Sequence, residues 1–69
     1  MEKLEKFIDT NYNEFITFED SEVAEYSFDT FDNDVIEYLK NCFRNRFDYR
    51  NICVYYSEDW NCIAVEHMA

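Results

Sequence analysis

Apolar residues recur along this chain in two rhythms, one suited to helices and one to strands. Near the start, Leu4, Phe7, Ile8 and Tyr12 return at helical spacing, and Glu2 precedes Lys6 by one turn, a pairing that supports helices. This predicts a helix over residues 2–11. The segments NEFITFED (13–20) and EVAEYSF (22–28) are rich in aromatic and β-branched residues and meet at the polar break Glu19, Asp20, Ser21 and Glu22. They predict the two strands of a hairpin, although residues 22–28 also admit a helix. Val35, Ile36, Leu39, Cys42, Phe43 and Phe47 then follow the 3.6-residue period, with Thr30, Asp32 or Asn33 available as N-cap, which predicts a helix over 33–46. The closing stretch NICVYYSEDWNCIAVEHM reads as a second hairpin, with Ile52 and Val54 opposite Val65 and Ile63. Its turn falls near residues 57–60, three to five residues long, and leaves Trp60 partly exposed. The sum is one α+β domain over residues 1–69, order α-β-β-α-β-β, with two amphipathic helices on a small antiparallel sheet.

A chain of 69 residues buries only about 60% of the surface it exposes when unfolded, so stability is marginal. Aromatic residues compensate. They make up 20% of the chain, and each ring buries roughly 150–250 Å². With 48% apolar residues beside a net charge of −10, the composition is that of a folded, strongly acidic protein. There is no glycine and no proline, so left-handed turn positions fall to other residues, above all Asn at 11, 13, 33, 41, 45, 51 and 61. This usage matches AT-rich codons, which would also enrich Lys; yet three Lys and three Arg face sixteen acids, so codon bias does not explain the charge.

Candidate chemistry is mostly excluded. Without glycine there is no P-loop, dinucleotide fingerprint or nucleophile elbow, and Asp32 and Asp34 lack the glycine and the glutamate of a calcium loop. Cys42, Cys53 and Cys62 are odd in number and show no CxxC spacing, which predicts buried thiols, though Cys53 and Cys62 could face each other across the hairpin. The single histidine, His67, reads as a strand-end side chain. No enzymatic activity, cofactor or metal is expected. No leader segment opens the chain and no apolar run is long enough for a membrane span, which predicts a cytoplasmic protein.

What remains is the distribution of charge. Between Lys6 and Lys40 lie ten acids and no cation, whereas Lys40, Arg44, Arg46 and Arg50 accompany only Asp48. Helix-dipole complementarity accounts for Asp32, Asp34, Arg44 and Arg46. It does not account for Glu14 through Asp29. Duplex DNA presents about one charge per 1.7 Å of axis, and carboxylates displayed along a strand edge at about 6.8 Å intervals can occupy the same basic clefts. The acidic stretch EDSEVAEYSFDTFDND, on a chain this small, resembles the inhibitors made by phages and mobile elements, anti-CRISPR proteins and other DNA mimics among them.

The resemblance implies an inhibitor that occupies the nucleic-acid cleft of a CRISPR effector or another nuclease. The expected contacts are Glu19, Asp20, Glu22, Glu25, Asp29, Asp32 and Asp34, with Tyr26, Phe28, Phe31 and Tyr38 as aromatic anchors. The expected partner is a basic nucleic-acid-binding protein. Nucleic acid itself and anionic membranes would be repelled. Two alternatives stand beside it: an immunity protein or antitoxin that plugs a nuclease toxin, and a homodimeric interaction module in which Arg44, Arg46 and Arg50 meet acids of a second copy.

Overall fold

The computed structural model describes residues 1–19 and 21–68. Helix α1 (Glu2–Phe15) runs past residue 11 because its apolar stripe does: Leu4, Ile8 and Phe15 are all fully buried on one face. Phe15 and Phe18 therefore do not belong to a strand. They pack ring to ring at 5.7 Å, where the chain leaves the helix. No strand precedes β1 (Val23–Tyr26), and the expected first hairpin is absent among the described residues. After a single 3₁₀ turn at Phe28–Thr30 comes helix α2 (Asn33–Asn41), with Val35 and Leu39 buried.

Helix α2 stops at Asn41, short of the predicted residue 46. Cys42 is extended, Arg44 and Asn45 adopt left-handed conformations, and the chain re-enters the sheet as β2 (Arg46–Tyr49). Its sequence RFDY alternates polar and aromatic positions with the period of a strand. Arg50 and Asn51, both at positive φ, form a two-residue turn into β3 (Ile52–Ser57). Residues 58–61 then lead into β4 (Cys62–His67), a four-residue loop as expected, with Asn61 at φ 54.

The sheet is wholly antiparallel in the order β1-β4-β3-β2. The fold is thus α+β, but the element order is α-β-α-β-β-β: β1 pairs with the distant β4, and the last three strands form a meander. Ile52, Val54, Ile63 and Val65 share one face as expected, with Val54 across from Val65 and Ile52 across from His67. Both helices cover that face. Leu4, Ile8 and Phe15 of α1 and Val35 and Leu39 of α2 join the four aliphatics in one buried cluster. Burying each such side chain contributes about 1.5–3 kcal/mol.

Alternation puts the remaining sheet residues on the opposite face, which no helix among the described residues covers, although Cys53, Cys62 and Ala64 are buried there: Glu25, Arg46, Asp48, Tyr55 and Glu66 lie on it as well. Two clasps tie distant elements together, one helix to helix and one turn to helix. Lys3 Nζ, on the first turn of α1, reaches Asp32 at 3.0 Å and Asp34 at 2.9 Å beside the start of α2. Arg50 holds Asp9 at 2.7 Å and lies 3.8 Å from the Tyr12 ring centroid, tying the β2–β3 turn to α1. No helix among the described residues is long and apolar enough to cross a membrane.

Candidate functional site

Strand β1 is an edge of the sheet, and the acidic stretch follows it from end to end. Glu19 and Glu22 stand in the loop before it. That loop closes on itself, the Glu22 amide donating to the Glu19 carbonyl at 3.0 Å and the Glu19 amide donating to the Glu22 carboxylate at 3.3 Å. Asp20 lies outside the described residues. Glu25 projects from β1 onto the uncovered face, across from Ala64, where it accepts a weak hydrogen bond from the Cys62 thiol at 3.9 Å. Asp29 is exposed in the 3₁₀ turn that follows.

Asp32 and Asp34 complete the path at the start of α2, where both share the single positive charge of Lys3. The Lys3 hydrogen bond holds the Asp34 carboxyl below its ordinary range. Asp32 is the N-cap residue, but its carboxylate turns to Lys3 and makes no capping hydrogen bond. Of the described members of the expected set, Glu19, Glu22, Glu25 and Asp29 make no ion pair among the described residues. The carboxylates do not form a ladder on a hairpin. A single strand of four residues offers only Glu25, and the others come from the loop and the turns at its two ends.

Further acids join this edge. Glu14 sits in the last turn of α1, which carries no basic residue, so it faces the negative end of the helix dipole. Its charge reaches β1: burial first, and then the Glu14 carboxylate, push the Tyr26 phenol up. Glu66 stands across from Val23 on the uncovered face, where it adds to the burial that pushes Tyr55 up. Glu14 lies in the cation-free stretch of sequence, but Glu66 is brought in by the β1–β4 pairing, for which the local pattern carries no signal.

Three of the four expected aromatic anchors are committed to packing. Phe7, Tyr26 and Phe31 form an edge-on trio with centroids 5.0–6.1 Å apart. Phe28 stacks on Tyr56 at 5.1 Å. Tyr38 is 37% exposed and rests edge-on against Phe47. A cleft of about 410 Å³ opens beside Phe28 and Tyr56, with Asp29 and Asp32 at its rim and Lys40 Nζ 5.5 Å from the Tyr56 ring centroid. Aromatic faces beside carboxylates suit a cationic side chain.

The thiols are separate from one another. Cys53 pairs with Glu66 and Cys62 with Ser57, so the two share a face without facing each other. Burial pushes the Cys53 thiol up to about 12, which keeps it protonated at neutral pH and a poor nucleophile. His67 ends β4, across from Ile52. Among the described residues no three His, Cys, Asp or Glu side chains converge to hold a metal ion. The chemistry on offer along this edge is electrostatic. Comparison with known protein families, curated protein sequences and solved structures finds no match.

Proposed function

We propose that this protein is a nucleic-acid mimic that binds the DNA- or RNA-binding cleft of a nuclease, such as a CRISPR effector, and blocks substrate binding without catalysis of its own. The observation that carries the reading is the row of uncompensated carboxylates along the β1 edge: Glu19, Glu22, Glu25 and Asp29, with Glu14 and Glu66 beside them. Apart from the loop-closing hydrogen bond at Glu22 and the weak one at Glu25, leaving these charges without a cation gives the free protein only solubility, and Glu14 opposes its own helix dipole. A cleft lined with Lys and Arg would recover that cost on binding. Lys3 would leave Asp32 and Asp34 with a smaller share of the attraction. A partner Arg or Lys entering the cleft beside Asp29 and Asp32 would have to displace Lys40 from the Tyr56 ring.

The test titrates the protein into guide-loaded CRISPR effectors with target DNA and follows DNA binding by mobility shift. Inhibition is expected at near-equimolar protein and should weaken as salt rises. Reversing Glu19, Glu22, Glu25 and Asp29 to Lys together should raise the inhibitory concentration by roughly 100-fold, since each 1.4 kcal/mol is a factor of ten. Equal inhibition by the reversed, still folded variant would sink the proposal.

A further inference from the structure

At the end of the sheet where β3 turns into β4, two large apolar side chains stand uncovered: Phe43 is 83% exposed and Trp60 is 57% exposed. Arg46 lies across from Tyr55, so the chain entering β2 runs beside the end of β3, and Asn45 shares a notch of about 360 Å³ with Tyr56, Ser57, Glu58 and Asp59. Phe43 comes two residues before Asn45, and Trp60 follows Asp59 directly. Both rings therefore belong to this end of the molecule.

Phe43 is there because the helix was ended early. It follows the buried Leu39 by four residues, so one more turn of α2 would have carried it onto the core side. Instead the left-handed Arg44 and Asn45 turn the chain away and leave the ring in solvent. The charges here are also uncommitted. Arg44 rests over the Phe43 ring, 5.2 Å from its centroid, and makes no ion pair among the described residues; nor do Glu58 and Asp59.

We infer that this end of the sheet is a homodimer interface, formed when a two-fold axis brings the Phe43 and Trp60 rings of two copies together. The charges select the occupant. A purely cationic partner would satisfy Glu58 and Asp59 but set like charge against Arg44. A second copy offers anions to Arg44 and a cation to Glu58 and Asp59, the self-complementarity that an isologous contact requires. The net charge of −10 on each copy opposes association, but its reach is limited to about 8 Å at physiological salt. The interface uses none of the acids assigned to the mimic and stands or falls separately from that reading. It also differs from a dimer built on Arg46 and Arg50, which are engaged with Asp48 and Asp9.

Sedimentation equilibrium from about 10 µM to about 1 mM, the range of weak associations, decides it. A monomer–dimer equilibrium is expected, with a concentration-dependent blue shift in the emission of Trp60, the only tryptophan of the chain. Phe43→Ser and Trp60→Ser should each raise the dissociation constant at least about tenfold, as for interface anchors. Arg44→Glu alone, and Glu58→Lys with Asp59→Lys, should each weaken self-association, and an equimolar mixture of the two variants should restore a dimer. A wild type that stays monomeric across the range overturns the inference, as does a dimer indifferent to Phe43→Ser or a charge-swapped mixture that fails to associate. A blue shift of Trp60 seen only on adding a basic nuclease would assign the patch to that partner instead.

Discussion

Among the described residues, six carry positive φ: Ser21, Arg44, Asn45, Arg50, Asn51 and Asn61. In a chain without glycine someone must take these positions, and three fall to Asn, as its tolerance of the left-handed region leads one to expect. The two arginines could not be foreseen, because nothing in an arginine side chain marks it for such a turn. Each costs about 1–2 kcal/mol in that conformation. Arg50 offsets its cost by holding Asp9 and Tyr12. Arg44 lies over the exposed Phe43 ring and makes no ion pair among the described residues, so its strain is poorly offset within one molecule. Arg44→Gly should therefore stabilise the monomer by about 0.5–1 kcal/mol, read as a higher urea midpoint at protein concentrations too low for self-association. A lower midpoint would show that the guanidinium contributes more than the turn costs.

Among the elements, α1, α2 and the last hairpin were legible because their apolar periods are uninterrupted. Strand β2 was hidden by coincidence: Phe47 stands eight residues after Leu39 and fits a helical period, yet it also alternates with Arg46 and Asp48 in strand fashion. Phe15 misled in the other direction, since a run of aromatics resembles a strand even where it completes the stripe of Leu4 and Ile8. The link between the helices is equally non-local, with Lys3 reaching Asp34 across the fold. Lys3 depresses the Asp34 pKa, so the stability this carboxylate contributes is present above its ordinary value of 3.8 and is lost as pH falls through the lowered, folded value. Lys3 itself is raised, first by its hydrogen bond to Asp34, so its contribution is present below 10.5 and is lost as pH climbs through the raised value. Lys3→Met should return the Asp34 titration, followed by NMR, towards 3.8; an unmoved curve would assign the depression to the backbone of α2 instead.

At the scale of the whole molecule, a net charge of −10 rests on a body of 28 × 26 × 22 Å. Self-repulsion at this density weakens the compact state, and salt relieves it. The melting temperature should rise between about 0.02 and about 0.5 M NaCl, by about 4–8 °C for each 1 kcal/mol regained in a domain of this size. A flat or falling curve would mean that salt weakens attractive pairs such as Lys3–Asp34 and Arg50–Asp9 by as much as it relieves the repulsion. Composition revealed the excess of acid and its concentration before α2. Which carboxylates stay uncompensated depends on Lys3 and on the pairing of β1 with β4, both settled only by the tertiary fold. That pairing also governs how the protein is made. Strand β4 lies between β1 and β3, so the ribosome must deliver the chain through Glu66 before β1 can pair along its whole length. Until translation has passed that point, the acidic edge has no sheet to stand on, because β4 is the strand to which β1 pairs.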